Sequence, residues 1–260
     1  MTTNAAAPSA QPDTVVTRLF AEADQAFLSS AISREEGSLL RSLAARPDIY
    51  KTIEIGCANG ISAIYICSGL QGKPGASHTA IDPFQYVDFD GRGVANVSTA
   101  GFDFFRLIAE RSELALPELL RKGDRFDLAF IDGLHTADQT MIDFYFVDRL
   151  LRPGGIVVFD DVNSPAVNRV ARYALTYPNY RLIATVGPRG MKRRTINIAK
   201  KVLRAALVPF RKAAGEALCR EFFNVSVTGN DVLSTVDFHS MVALEKAGDF
   251  ERNTNWFEGI

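Results

Sequence analysis

The residues with the clearest chemistry are three aspartates that follow two short apolar runs. Asp132 follows one run, and the pair Asp160-Asp161 follows the other. Both runs lack alternation, which is typical of parallel strands buried on both faces. The carboxyl ends of such strands meet at one edge of a sheet, where three carboxylates repel one another unless a cation lies between them. Mg²⁺ prefers carboxylate oxygen, so the pattern predicts a magnesium site; the alternative is that each aspartate only caps the next turn.

The chain between these acids has the pattern of a crossover helix. From 136 to 151 its apolar residues recur at helical spacing: Met141, Ile142, Tyr145, Phe146 and Leu150. The run 152–155, Arg-Pro-Gly-Gly, should end the helix, since proline cannot continue it and glycine tolerates positive φ. The runs 126–131 and 156–159 then become neighbouring strands of a right-handed βαβ unit.

A further strand, at 51–55, runs into a loop that contains Gly56 and Gly60 and then into an apolar helix. This is the strand–glycine loop–helix start of a nucleotide-binding half, in which glycine lets the backbone approach a ligand. The next strand ends at Asp82. A carboxylate there can accept both ribose hydroxyls of NAD or of another adenosyl cofactor; the alternative is a turn residue before Pro83.

The order of the elements predicts the fold class. Repeated β-α units precede a strand at 180–186, and a last strand at 241–245 follows a long excursion. This order is typical of a Rossmann-like, doubly wound, mostly parallel sheet of about seven strands with helices on both faces.

The N-terminal part is predicted to be a tail followed by two helices. Residues 1–13 are rich in Ala, Pro, Ser and Thr, which is typical of a disordered segment. Helices are expected over 14–32 and 33–46, the N-terminal portion of a single domain that spans 14–260.

Composition sets further limits. Of 260 residues, 47% are hydrophobic, which is enough to bury one sizeable α/β core. A net charge of −1 gives no general attraction to nucleic acid or to anionic membranes. The start has no apolar signal-peptide region, and no run approaches the length that spans a bilayer. These features predict a soluble, cytoplasmic protein.

The excursion, 188–238, differs in charge from the rest of the chain. From Arg189 to Lys212 there are nine basic residues and no acidic one, with apolar residues between them. One hypothesis is a basic amphipathic helix that contacts an anionic membrane surface. A lid over the site, an oligomer contact and a solvated helix face are alternatives that the pattern leaves open.

Together these motifs resemble class I S-adenosylmethionine (SAM)-dependent methyltransferases. The resemblance rests on the Glu-Ile-Gly-x-x-x-Gly run of 54–60, on Asp82, and on the Asp-Gly-x-His and Asp-Asp motifs that begin at Asp132 and Asp160. Within that superfamily the pattern is most similar to the Mg²⁺-dependent O-methyltransferases that act on sugar hydroxyls of macrolides and other glycosides. The similarity covers roughly 33–187 and the last strand.

The resemblance implies roles for individual residues. The cofactor would lie against six of them: Glu54, Gly56, Gly60, Asp82, Ser112 and Asp132. Asp82 would accept the ribose hydroxyls, and Ser112 would lie by the adenine. Three aspartates would hold the magnesium ion: Asp132, Asp160 and Asp161. His135 would be the catalytic general base, and Ala58 stands where many members have a second glycine, a change too small to block the cofactor.

The function implied is therefore methyl transfer from SAM to a hydroxyl of a sugar, glycoside or other small molecule, with magnesium. The expected partners are that hydroxylated acceptor, a second copy of the chain, and a membrane surface contacted through 189–212, and nucleic acid is not expected. An NAD-dependent oxidoreductase is the first alternative, disfavoured because no Tyr-x-x-x-Lys pair occurs. The second is a non-catalytic membrane-surface module on a methyltransferase scaffold, against which the intact Glu54, Asp82 and Asp132 argue.

Overall fold

One seven-stranded sheet forms the centre of the computed structural model, which describes residues 12–22, 30–187, 236 and 239–251. The strands are β1 (Lys51–Ile55), β2 (Ser77–Ile81), β3 (Phe105–Ile108), β4 (Phe126–Ile131), β5 (Leu151–Phe159), β6 (Tyr180–Val186) and β7 (Met241–Lys246). Their order is β3-β2-β1-β4-β5-β7-β6. The first five are parallel, and β7 is antiparallel to β5 and β6. The predicted Rossmann-like, mostly parallel sheet is confirmed.

Helices cover both faces of this sheet. They are α1 (Pro12–Ala21), α2 (Arg34–Ala44), α3 (Ile61–Leu70), α4 (Arg92–Thr99), α5 (Ser112–Arg121), α6 (Ala137–Leu150) and α7 (Pro165–Ala174). One core layer packs α1 to α4 on one face, with Leu40 and Ile64 fully buried in it. The other layer packs α5 to α7 on the opposite face, around Leu116 and Phe144. The strands are therefore apolar toward both faces, which explains why their sequences lack alternation.

The N-terminal region differs from its prediction. α1 begins at Pro12, so the last two residues of the predicted tail, 1–13, are helical, and the rest of that tail lies outside the described residues. The helix predicted over 14–32 ends at Ala21, and residues 30–33 are not helical. Proline suits the start of a helix because the amide that it lacks would have no partner there.

β5 begins earlier than its sequence predicts. Leu151 already pairs with Phe126 of β4, and pairing resumes between Ile156 and Leu128 after a register shift. The run 152–155 is therefore an irregular part of the strand and not only the end of α6. Proline and glycine interrupt the ladder of hydrogen bonds, and this interruption made the run look like a break.

The chain returns to the sheet at β7. The buried Lys246 ammonium donates to the main-chain carbonyl oxygens of Asp148 and Leu151, at 2.6 and 3.2 Å, and so ties β7 to α6 and β5. The predicted basic insert, 188–238, lies outside the described residues apart from Val236, which is buried. Its membrane contact and its role as a lid stay predictions. Within the described ranges, no helix is long and apolar enough to cross a membrane.

Candidate active site

The carboxyl ends of β1, β2 and β4 border a cavity of about 270 Å³. Backbone hydrogen bonds extend the pairing of β1 with β4, and of β4 with β5, by one residue beyond the ends of the strands. The Asp132 amide donates to the Ile55 carbonyl oxygen at 2.9 Å, and the Asp160 amide donates to that of Ile131 at 3.1 Å. The two strand-end aspartates are thus held in register at one edge of the sheet, as the parallel arrangement predicts.

Two glycines shape the loop between β1 and α3. Gly56 has φ of 90°, and a Cβ there would lie 2.1 Å from the Asp132 carbonyl oxygen. Gly60 has φ of 78°, and a Cβ there would lie 2.6 Å from the Gly93 carbonyl oxygen. Gly56 lines the cavity. Gly60 does not line it and instead lies close to Gly93 of α4. Ala58, at φ of 45°, takes a left-handed conformation that glycine would adopt without strain.

Asp82 supports this loop and also lines the cavity. One carboxylate oxygen accepts from the amides of Cys57 and Ala58, at 3.1 and 2.8 Å, and the other accepts from Phe84 at 2.8 Å. A carboxylate has about four acceptor positions, so capacity is left for a ribose hydroxyl. The supporting role escaped sequence reasoning because it depends on two loops that only the fold brings together.

Glu54 is fully buried and is not among the residues that line the cavity, so its contact with the cofactor stays a prediction. Its Oε1 lies 3.4 Å from Nε2 of His78, whose Nδ1 is 2.8 Å from the Thr52 hydroxyl. Burial, reinforced by the nearby Glu54, raises the pKa of the Cys57 thiol well above its usual range. Glu54 therefore belongs to the buried support of the loop.

The N-terminus of α3 forms one polar end of the cavity. Its N-cap residue, Gly60, offers no side-chain acceptor to the free amides of the first turn. Ser30, Asn59 and Ser62 line the cavity there, and Asn59 Nδ2 donates to the Ser30 hydroxyl at 3.3 Å. The Asn59 Oδ1 atom is buried and has no hydrogen-bond partner among the described residues. Sequence reasoning missed these three residues; their position beside a glycine loop was the available signal.

The start of α5 forms the other polar end. Ser112, the predicted adenine neighbour, lines the cavity with Glu113 and with Gln139 of α6. The Gln139 carboxamide donates to the Ser112 hydroxyl at 3.0 Å. Only Ser112 was predicted, because the contact of α6 with α5 is not visible as a sequence motif.

His135 lies between two aspartates. Its Nε2 is 3.2 Å from Asp132 Oδ1, and its Nδ1 is 3.4 Å from Asp161 Oδ2. One ligand atom of each of the three side chains lies within 4.8 Å of the others. Asp161 has φ of 47°, and strained backbone of this kind concentrates at functional sites. Two carboxylates and an imidazole form a donor set that fits a divalent cation.

The charges of this group depend on one another. Burial raises the pKa of Asp132 to about 6, although the hydrogen bond with His135 opposes the shift. The same hydrogen bond raises the pKa of His135 above its ordinary value. The imidazole therefore holds its second proton more strongly than in water, and a cation that took over the carboxylates would weaken that hold.

The predicted third metal ligand, Asp160, differs from the other two. It is 3% exposed, and burial together with Asp132 and Glu36 raises the pKa of its carboxyl well above the usual range. Among the described residues, the group whose ligand atoms converge contains His135 in place of Asp160. The reason is local, because successive residues leave a strand end in different directions and only Asp161 is turned toward the imidazole.

The middle of the chain is similar to known proteins. Residues 53–162 match the model of a methyltransferase domain. A protein from Mycobacterium sp. strain JLS, provisionally named an O-methyltransferase, is 30% identical over 134 residues, which are 50% of this chain and 56% of that protein. A similarly named protein from Mycolicibacterium vanbaalenii is 31% identical over 137 residues, 50% of this chain and 55% of its own. The chain thus spans about half the length of the curated relatives it matches.

Solved structures share the fold. The O-methyltransferase TomG from Streptomyces achromogenes, in complex with SAM, has a TM-score of 0.58 and 18% identity over 92% of this chain and 89% of its own. An O-methyltransferase from Bacillus cereus, in complex with S-adenosylhomocysteine (SAH), has a TM-score of 0.58 and 20% identity over 69% of this chain and 86% of its own. These similarities agree with the Rossmann-like fold predicted from the sequence.

Proposed function

We propose that this chain is a SAM-dependent O-methyltransferase that uses a divalent cation, Mg²⁺ in the first instance, to methylate a hydroxyl of a sugar, glycoside or other small molecule. The observation that carries the proposal is one cavity with three chemically distinct borders. These are the free amides of α3, the acceptor carboxylate of Asp82, and the group formed by Asp132, His135 and Asp161. They suit the aminocarboxylate, the ribose and the reacting end of SAM, respectively.

The reaction needs a nucleophile and a route for its proton. The acceptor oxygen attacks the methyl carbon of the sulfonium, the carbon–sulfur bond breaks, and its electron pair leaves with sulfur to give the neutral thioether SAH. His135 would take the hydroxyl proton, for which its imidazole must be neutral. Asp132 and Asp161 would hold the cation, and the buried Asp160 would lie next to them without binding it directly. A bound divalent cation would lower the pKa of an acceptor hydroxyl and orient it.

The first test is ligand binding followed by transfer. Calorimetry should show that SAH binds, and SAH should raise the melting temperature whereas NAD should leave it unchanged. Methyl transfer to a panel of hydroxylated glycosides and phenols should stop in EDTA and return with Mg²⁺ or Mn²⁺. Failure to bind SAH would overturn the proposal, and stabilisation by NAD instead would favour the oxidoreductase. Full transfer in EDTA would remove the cation alone.

A further inference from the structure

The exposed side chains of α6 lie along one line on its surface. The structure describes every residue of this helix, and four of them are exposed: Asp138, Ile142, Tyr145 and Arg149. They are spaced by four, three and four residues, so they form a single stripe, which we call the α6 stripe. This is the spacing of the seam along which one helix packs against another.

The middle of the α6 stripe is apolar and partly ordered in advance. Ile142 is 38% exposed and Tyr145 is 48% exposed. The Cζ atom of Arg149 lies 3.6 Å from the centre of the Tyr145 ring, and Arg149 Nη1 donates to the Tyr145 carbonyl oxygen at 2.9 Å. This stacking holds the guanidinium in place, so the side chain loses less entropy when it binds a carboxylate.

The two ends of the α6 stripe carry opposite charges. Asp138 lies in the first turn of α6, and Arg149 lies in the last. The helix macrodipole favours an acid and a base at these ends, but it does not explain the two apolar side chains that lie exposed between them. A surface that binds another molecule explains both features.

The spacing of the α6 stripe makes it complementary to itself. A two-fold axis that runs across α6 midway between Ile142 and Tyr145 places Ile142 of one copy opposite Tyr145 of the other. The same axis places Asp138 opposite Arg149 at both ends, because the two pairs share one midpoint along the helix. Antiparallel packing of two stripes therefore joins unlike charges, whereas parallel packing would join like charges.

We propose that the α6 stripe is the surface through which two copies of this chain associate, with their α6 helices antiparallel and Asp138 of each copy paired with Arg149 of the other. A partner of another sequence would not require an acid and a base at equal distances from the centre, whereas a second copy does. α6 packs between α5 and α7 on its face of the sheet, so these helices would border the contact on both sides. A seam of four side chains is smaller than permanent interfaces of roughly 2,000 Å² or more, so the dimer should dissociate on dilution.

Charge-reversal variants of the full chain test this pairing by sedimentation velocity at increasing protein concentration. The parent should pass from monomer to dimer. Asp138→Arg and Arg149→Asp should each weaken self-association by about 10–100-fold, because the two-fold axis converts one substitution into two contacts between like charges. An equimolar mixture of the two variants should form a dimer again, since every contact then joins unlike charges. Glu35→Arg, the same kind of change in the first turn of α2 on the opposite face of the sheet, should dimerise like the parent.

Three results would overturn the proposal. The first is a parent that stays monomeric up to about 1 mM. The second is a pair of single variants that dimerise like the parent, because the contact would then lie on another surface. The third is a mixture that stays monomeric although each variant is folded, because the charges would then not pair across the axis. Should either variant fail to fold, Ile142→Ser, at an exposed position, replaces it and has to weaken the dimer for the proposal to stand.

Discussion

At the scale of single residues, His135 occupies a position that suits two roles. Each ring nitrogen faces a carboxylate, so the imidazole is either a proton acceptor beside a cation or one of the ligands of that cation. The two roles exclude each other at the same nitrogen atom, since a lone pair that binds a metal cannot accept a proton. They also differ in what is lost when the ring is removed.

Replacing His135 with alanine distinguishes them. Loss of a general base should lower turnover by roughly 10²–10⁴-fold and leave the affinity for SAH and for Mn²⁺ close to that of the parent. Loss of a ligand should weaken Mn²⁺ binding as well. The measurements are steady-state turnover and calorimetric titration of Mn²⁺ in the presence of SAH. Near-parental turnover of the variant would exclude both roles.

Asp82 should affect both stability and cofactor affinity. Asp82→Ala removes the acceptor of three backbone amides, so we expect a lower melting temperature and SAH binding weaker by about 1.5–3 kcal/mol. Asp82→Asn keeps one acceptor oxygen and should lie between alanine and the parent in both measurements. Asp88→Ala, an exposed change nearby, is the control that should alter neither. An Asp82→Ala protein with parental affinity would remove the ribose contact.

The sequence predicted which acids stand at strand ends but not which way they face. Asp132 and Asp161 converge on His135, whereas Asp160 and Glu54 are buried away from the cavity. Side-chain direction at the end of a strand depends on one or two backbone dihedral angles, which residue type alone does not determine. Gln139 was missed for a related reason, because its role depends on packing between two helices.

At the scale of elements, the β1–α3 loop depends on a close approach that only glycine allows. Gly56→Ala would place a Cβ 2.1 Å from the Asp132 carbonyl oxygen and so force the ends of β1 and β4 apart. Gly72→Ala is the matched control, since it has a similar φ of 80° but no atom within 4 Å of the added Cβ.

Gly72→Ala should lower the free energy of unfolding by about 1–2 kcal/mol, which is the strain of an alanine in the left-handed conformation. Gly56→Ala should cost more than that and should also abolish SAH binding. The measurements are urea unfolding and calorimetry. Equal losses of stability in the two variants would show that the contact with Asp132 does not matter.

Element types were predictable where one strong pattern covered the whole segment, as in β4 and α6. The boundaries of the elements were less predictable where two sequence signals competed. The Pro-Gly-Gly run predicts the end of α6, and α6 does end just before it, at Leu150. The next residue, Leu151, already pairs with Phe126 of β4. Tertiary contacts decided the outcome there, and the local pattern contains no information about them.

At the scale of the whole molecule, buried carboxyls should give stability an unusual dependence on pH. The pKa of Asp143 is about 6 when folded, against 3.8 as the ordinary value. The folded state therefore holds this proton more strongly than the unfolded state does. The contribution of the protonated Asp143 to the free energy of unfolding is about 3 kcal/mol. It is fully present below pH ~4 and is lost as the pH rises through 6.

Asp143→Asn should remove this part of the loss, so that the unfolding free energy falls less steeply between pH 4 and 7 than in the parent, while the contributions of Asp132 and Asp160 remain. The measurement is urea unfolding across that range in chelator, with Asp88→Asn as a control that should follow the parent. A variant curve parallel to that of the parent would show that Asp143 is ionised in the fold at low pH.

Strand β7 lies between β5 and β6, although it follows both of them in the chain. In the described sheet, β6 pairs with β7 alone, so it has no neighbour until residues 241–246 arrive. Pairing across so long an intervening segment is slow, because closure of the loop costs entropy before any contact offsets it. A nascent chain would thus expose β6 and one edge of β5 until β7 is made. That interval is the one in which strand edges are open to pairing with other chains.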